Sequence, residues 1–281
     1  QGNANAGLFS NLQRGSILEN HLSASELIFD SELAGDIDLL VWPENASDLD
    51  PLRDAEAAKK IDELAKRVGA PFSFGTITTR GGKNFNSTLL WEPGVGAVDF
   101  YDKQQPVPFA EFVPDREFWR LFAPTLIDMV PEGFSFGTRD GIFEVSDDFT
   151  AGTLICFEIA EDSILRDLVS GGAEVILSQT NNADFGYSDE TYQQAGIAQL
   201  RAIETGRAVV NISTVGLSAI YLPTGKVLSE LTWYQEGAMV EKVPLYRGTT
   251  PAMLLGQSLE FANMIAAVGF LFAFGIRRKR R

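Results

Sequence analysis

The chain has 281 residues, 45% of them hydrophobic, and a formal net charge of −15 from 23 Lys+Arg against 38 Asp+Glu. That length suits one large domain or two small ones, the apolar content excludes a disordered chain, and an acidic chain without a basic stripe excludes nucleic acid as a partner. One Cys (Cys156) and one His (His21) exclude an internal disulfide, a Cys-rich zinc site and a multi-His metal site.

The chain opens on Gln1-Gly-Asn, with neither Met nor a signal pattern. This reads as the end of a strand cut short, so the sequence is expected to be part of something longer. Residues 11–34 carry Leu18, Leu22, Ser25, Phe29 and Leu33 at helical spacing and predict a helix. Ile37–Val41 is a short apolar run, as in a strand buried on both faces. Pro51–Val68 predicts a second amphipathic helix with Leu52, Ala55, Ala58, Ile61, Ala65 and Val68 on one side, ended by Gly69. Strands are expected at 71–78, 85–91 and 98–103. Residues 104–140 read as irregular, with Pro at 106, 108, 114, 124 and 131. Strands at 142–145 and 152–157, a helix at 163–170, a strand at 175–178 and a helix at 190–205 follow. Strands at 209–213, 218–222 and 226–231 complete the alternation, which argues for a layered α/β core. A G-x-S-x-G at Gly133–Gly137 is followed by a turn and a strand rather than a helix, and no His lies after it. It reads as a Gly-rich loop, not a nucleophile elbow. No EF-hand loop, Walker A motif or G-x-G-x-x-G is present, and no cofactor is expected.

Phe261–Ile276 is apolar, with Asn263 its one strongly polar member, and runs directly into Arg277-Arg-Lys-Arg-Arg281. It spans about 24 Å, or about 37 Å when extended back to Ala252, against about 30 Å of bilayer hydrocarbon. A transmembrane helix over 252–276 is expected, with the basic tail 277–281 in the cytoplasm and an acidic body, residues 1–248, on the outer side. The plainer alternative is an apolar terminal helix docked on the body.

Three apolar runs end in reactive side chains: Leu39-Leu-Val-Trp-Pro-Glu44-Asn, Tyr101-Asp-Lys103 running into a Pro-rich loop with Glu111, and Gly152-Thr-Leu-Ile-Cys156-Phe-Glu158. An α/β sheet presents functional groups at such strand ends. Singly, a Cys is more often a small buried hydrophobe, and a Glu or Lys a solvated surface charge. Together they fit one chemistry. A thiolate attacks a carbonyl, a carboxylate serves as its base, and an ammonium stabilises the anion that forms. With His21 the only imidazole, a carboxylate must be the base, and a Glu in an apolar pocket has its pKa raised towards that task.

Glu44, Lys103 and Cys156, in this order and context, resemble the Glu-Lys-Cys triad of the nitrilase (carbon–nitrogen hydrolase) superfamily. Trp-Pro-Glu-Asn, Tyr-x-Lys before Pro-Phe-x-Glu-x-x-Pro, and Ile-Cys-Phe-Glu are similar to motifs of its apolipoprotein N-acyltransferase branch. So are Asn181-Asn-Ala-Asp-Phe-Gly-Tyr-Ser, Gln193-Gln, Arg201-Ala-Ile-Glu-Thr-Gly-Arg207 and Ser213-Thr-Val-Gly-Leu-Ser. Asp184 and Gln193 differ from the Trp and His common in that region, as in what looks like an actinobacterial branch. The resemblance covers the nitrilase-like domain and the last helix, not the family's N-terminal bundle of membrane helices. It implies an α-β-β-α sandwich, and acyl transfer through a thioester from a phospholipid donor to the N-terminal diacylglyceryl-cysteine of a lipoprotein. Glu44 would be the base, Cys156 the nucleophile, and Lys103 with the backbone N–H after Cys156 the oxyanion donors. Glu111 would hold the Lys and line the site, and Phe157 and Glu158 would flank the nucleophile. Glu158 reads equally as a structural carboxylate bonded to nearby backbone. The implied location is the cell membrane, with the catalytic domain extracytoplasmic. Two other readings stay open: an amidase of the same superfamily acting on a small amide, and a membrane-anchored module without activity. The aromatic cluster Phe109, Phe112, Phe118, Trp119, Phe122, Phe134 and Phe136, also read as a lid packed on the core, and the C-terminal helix are features a soluble amidase does not need.

Overall fold

Short apolar runs bounded by turn residues pair into two sheets in the computed structural model, which describes residues 1–4, 13–130 and 133–279. In chain order the elements are helix α1 (Ser16–Ser25), β1 (Leu40–Val41), α2 (Ala55–Val68), β2 (Phe72–Arg80), β3 (Lys83–Glu92), β4 (Gly96–Asp102), and the short helices α3 (Arg116–Arg120) and α4 (Pro124–Met129). Then come β5 (Ile142–Ser146), β6 (Phe149–Ile155), α5 (Asp162–Ser170), β7 (Val175–Thr180), α6 (Glu190–Thr205), β8 (Ala208–Ser213), β9 (Ser218–Tyr221), β10 (Val227–Leu231) and α7 (Pro251–Lys279). The first sheet has the order β1-β2-β3-β4 and the second β10-β9-β8-β7-β6-β5. In the second sheet β6, β7 and β8 run parallel, with Ala151 opposite Val175 and Val175 opposite Ala208, while the flanking strands are antiparallel.

The sheets pack face to face. Leu90 and Tyr101 of the first meet Phe143, Ile155, Val175, Leu177 and Ala208 of the second. The outer face of the first sheet sets Phe72, Phe74, Leu89 and Trp91 against Leu18 of α1 and Ala57, Ile61, Leu64 and Ala65 of α2. The outer face of the second buries Leu154, Ile176, Val209 and Tyr221 under Ile164, Leu165 and Leu168 of α5 and Ala198 and Ala202 of α6. This is the expected α-β-β-α sandwich.

The elements differ from expectation mainly at their ends. The helix expected over 11–34 is α-helical only from Ser16 to Ser25 and ends in a 3-10 turn at Glu26–Asp30; residues 11 and 12 lie outside the described part. Its start is set from a distance: the Asp48 carboxylate accepts from Gly15 N at 2.5 Å and Leu18 N at 3.1 Å. Helix α2 begins at Ala55 rather than Pro51 because the Asp54 side chain caps Glu56 N and Ala57 N, leaving Leu52 outside and exposed. Gly69 closes it at φ 77°, as the sequence predicts. The strand at 37–41 shortens to Leu40–Val41. Gln1–Ala4 form no strand, although Asn3 N donates to Thr214 O and Gly237 N donates to Gln1 O.

Helix α7 is rooted at one end of the second sheet. The Thr250 hydroxyl donates to Glu204 O at the end of α6, and Arg247 pairs with Glu174 just before β7. Residues Pro251–Phe274 are long and apolar enough to cross a membrane, and that stretch is not buried against the body.

Candidate active site

The site lies at the opposite end of the second sheet, where β6 and β7 stop. Cys156 follows β6 directly and opens a 3-10 turn, Cys156–Ala160. Its φ is +56°, a left-handed conformation that costs a non-glycine residue about 1–2 kcal/mol. The turn is tied down by Glu158, which is fully buried. Its carboxylate accepts from Ile155 N at 2.8 Å, Tyr101 Oη at 2.9 Å, Gln104 N at 2.7 Å and Gln105 N at 3.0 Å. The Cys156 turn is thus bolted to the end of β4, where Lys103 stands.

Lys103, 1% exposed, is aligned by its N–H to Asn86 O at 2.8 Å. Its Nζ lies 2.7 Å from Glu111 Oε2 and 3.7 Å from Glu44 Oε1. Glu111 is held in turn by Val107 N, 2.7 Å from Oε2. Glu44 follows β1 and is 4% exposed. Gly75 of β2 is what lets the Pro43–Asn45 run come so close: a Cβ there would sit 2.5 Å from Glu44 Cα. The Glu44 carboxylate accepts from Asn86 Nδ2 at 2.7 Å and from Asn181 N at 2.7 Å. Asn86 Nδ2 also donates to Glu111 Oε1 at 2.9 Å, so one amide clamps both carboxylates. On the other side of the thiol, Gln194 Nε2 lies 3.6 Å from Sγ.

The electrostatics follow from burying one ammonium with two carboxylates beside a thiol. Burial pushes the Cys156 thiol up to about 12 and the neighbouring Glu44 carboxylate adds to this, while Lys103 and the Gln194 hydrogen bond oppose it. Burial also raises Glu44 above the usual carboxylate range, with Lys103 opposing and Glu111 reinforcing. For Lys103, burial disfavours the charge, but Glu44, Cys156 and Glu111 outweigh it and hold the ammonium above its ordinary value. Burial thus favours the neutral thiol and the neutral Glu44 carboxyl, while the carboxylates around Lys103 favour its ammonium form.

Glu44, Lys103, Glu111 and Cys156 converge. Glu158 stands behind them as an anchor of the turn, and Phe157 is exposed next to the thiol. Asn181 and Gln194 lie in the motifs Asn181-Asn-Ala-Asp and Gln193-Gln, to which the sequence assigns no role; Asn86 lies in none, and polar residues on the otherwise buried β3 are the available signal for it. His21 is buried in α1, bonded to Ile17 O and packed on Trp42, and takes no part. Gly133–Gly137 form a coil, with Ser135 N bonded to Asn84 O. Among the described residues no cluster of three His, Cys, Asp or Glu side chains is placed to hold a metal.

A buried thiol, carboxylate and lysine stand together at the strand ends of an α-β-β-α sandwich, the architecture of the carbon–nitrogen hydrolases. The sequence model of the carbon–nitrogen hydrolase family matches residues 4–250, and the chain belongs to that family. It is 32% identical, over 96% of its length, to the apolipoprotein N-acyltransferase of Mycolicibacterium smegmatis, of which it covers 47%. It is 28% identical, over 84% of its length, to that of Vibrio cholerae, of which it covers 48%. The chain thus spans about half the length of the curated relatives it matches. Among solved structures, an amidase from Nesterenkonia sp. superposes with a TM-score of 0.61 at 17% identity, over 84% of this chain and 85% of that one. The CN-hydrolase superfamily protein XC1258 of Xanthomonas campestris does so with a TM-score of 0.61 at 18% identity, over 95% of this chain and 94% of that one. At these identities the likeness is one of fold.

Proposed function

We propose that the chain is the catalytic part of an N-acyltransferase, moving an acyl chain from a phospholipid to the α-amino group of a lipoprotein's diacylglyceryl-cysteine. What carries this reading is the Lys103–Glu44–Glu111 cluster in electrostatic reach of the sole cysteine, in a chain similar to apolipoprotein N-acyltransferases. Glu44 takes the Cys156 proton, and the thiolate attacks the donor ester carbonyl. Lys103 and the Phe157 N–H stabilise the oxyanion. The oxyanion collapses, Glu44 returns the proton to the departing lysophospholipid oxygen, and a thioester remains. The acceptor amine then attacks the thioester, losing its proton to Glu44, and the sulfur leaves and takes that proton back from Glu44, restoring the thiol. Glu111 keeps Lys103 in place.

In this reading residues 1–248 form the catalytic domain, 252–276 a transmembrane helix and 277–281 a cytoplasmic basic tail, with the catalytic domain extracytoplasmic. The apolar α7 and the exposed Phe109, Phe118, Trp119, Phe122 and Phe136 of the loop beside the site support a lipid-borne substrate.

The test is to incubate the whole chain with a diacylated lipopeptide and phospholipid, and to look by mass spectrometry for one added acyl chain. Cys156→Ala should abolish the gain, and Glu44→Gln should slow it by about 10²- to 10⁴-fold. Ammonia release from small amides without acyl transfer would turn the reading towards an amidase.

A further inference from the structure

We infer that Gln194 is a catalytic hydrogen-bond donor to the sulfur of Cys156, aimed by a one-way chain of hydrogen bonds that starts at the backbone of Gly216. The inference rests on Cys156 being the nucleophile. An amide side chain can be turned end for end with almost no change of shape, so its partners decide which end faces the sulfur.

Here the partners decide it. The Gly216 N–H can only donate, and it does so to Ser213 Oγ at 2.9 Å. Ser213 Oγ keeps a single hydrogen and gives it to Asn182 Oδ1, 2.6 Å away. Thr180 Oγ1 donates to the same oxygen at 3.1 Å. With its oxygen committed, Asn182 directs Nδ2 to Gln194 Oε1 at 2.6 Å. Gln194 then has only its NH₂ end for the sulfur, at 3.6 Å.

Thr180, Asn182 and Ser213 are buried, so water does not compete for these bonds. The chain also has no slack. A Cβ on Gly216 would stand 2.2 Å from Asn182 Oδ1 and 2.8 Å from Ser213 Oγ. A fixed donor strengthens its bond as negative charge grows on the sulfur. It favours the thiolate without bringing a second cation that would compete with Lys103 for Glu44. Asn182, Ser213 and Gly216 act through Gln194 and are positioning residues.

The single cysteine makes the test site-specific, because every alkylated thiol in the chain is Cys156. The whole chain in detergent micelles is alkylated with iodoacetamide across a pH series. Loss of one neutral hydrogen bond predicts that Gln194→Leu slows alkylation about three- to tenfold at pH 8 and moves the thiolate titration upwards. Gln194→Glu keeps the shape of the side chain and replaces the donor by a negative charge, so it should slow alkylation further. Gly216→Ala, which displaces Asn182, should resemble Gln194→Leu. Alkylation of a folded Gln194→Glu protein with the wild-type rate and titration would overturn the inference and leave the nucleophile reading intact. A wild-type Cys156 that resists alkylation at every pH would overturn both.

Discussion

Glu44 shows how much of a residue's chemistry comes from its surroundings. An exposed glutamate would be ionised through the neutral range, whereas burial and Glu111 hold this one's proton at higher pH. In the proposed mechanism only the carboxylate form accepts the Cys156 proton. The raised pKa should then place the acid limb of kcat/KM above the ordinary glutamate range, with activity falling as pH drops through it. Glu111→Gln removes a charge that raises Glu44, so the acid limb should move to lower pH while kcat falls with the loosened Lys103; a pH profile of acyl transfer in both proteins reads this directly. The site was legible in the sequence where an apolar run stops at a reactive residue, as at Glu44, Lys103 and Cys156. Asn86 lies in no motif, and Gln194 stands in the Gln193-Gln motif without a role, because each acts on a partner distant in sequence: Asn86 reaches Glu44 and Glu111, and Gln194 reaches Cys156.

Among the elements, the turn Cys156–Ala160 depends most on a single side chain. The Glu158 carboxylate takes four donors from two segments, residues 101–105 and Ile155, and a glutamine there would turn its NH₂ towards donors that need an acceptor. Glu158→Gln is expected to cost about 3 kcal/mol of stability, seen as a lowered denaturant midpoint. It should also slow acyl transfer, by releasing the Cys156 turn from the end of β4. Elements with their own caps and period were readable: α6 spans the predicted Glu190–Thr205, and α2 ends at Gly69. Helix α1 was overextended because its cap is Asp48, a residue no local pattern links to it. Helices α3 and α4 lie among prolines and aromatics that carry no helical period, so the sequence reads that stretch as irregular.

At the scale of the whole molecule, the net charge of −15 includes the basic run Arg277–Arg281, so the body is more acidic than the total. Such a body gains nothing from anionic headgroups, and its hold on lipid should rest on α7 and apolar contacts. The expected outcome is retention on phosphatidylglycerol-containing liposomes through a wash at about 1 M salt, about seven times physiological ionic strength. Replacing Phe118, Trp119 and Phe122 by Ser should weaken the binding of the body without unfolding it, as followed by flotation and circular dichroism. Release by salt, or unchanged binding by the triple variant, would refute this account of attachment.

The root of α7 and the sulfur of Cys156 lie at opposite ends of the parallel strands β6 to β8. The six residues of β7 span about 20 Å, which makes the domain an arm rather than a cap. Standing upright on a membrane-spanning α7, the arm would hold the thiol about that far from its tether. Reclining at Thr250–Pro251, it would bring the thiol and the exposed aromatic side chains down to the headgroups. Both proposed substrates are anchored in lipid, so the reclining posture is the one expected to work. A fluorophore on Cys156 should then be quenched by lipid-borne quenchers, and an unquenched fluorophore would mean that the arm stands upright.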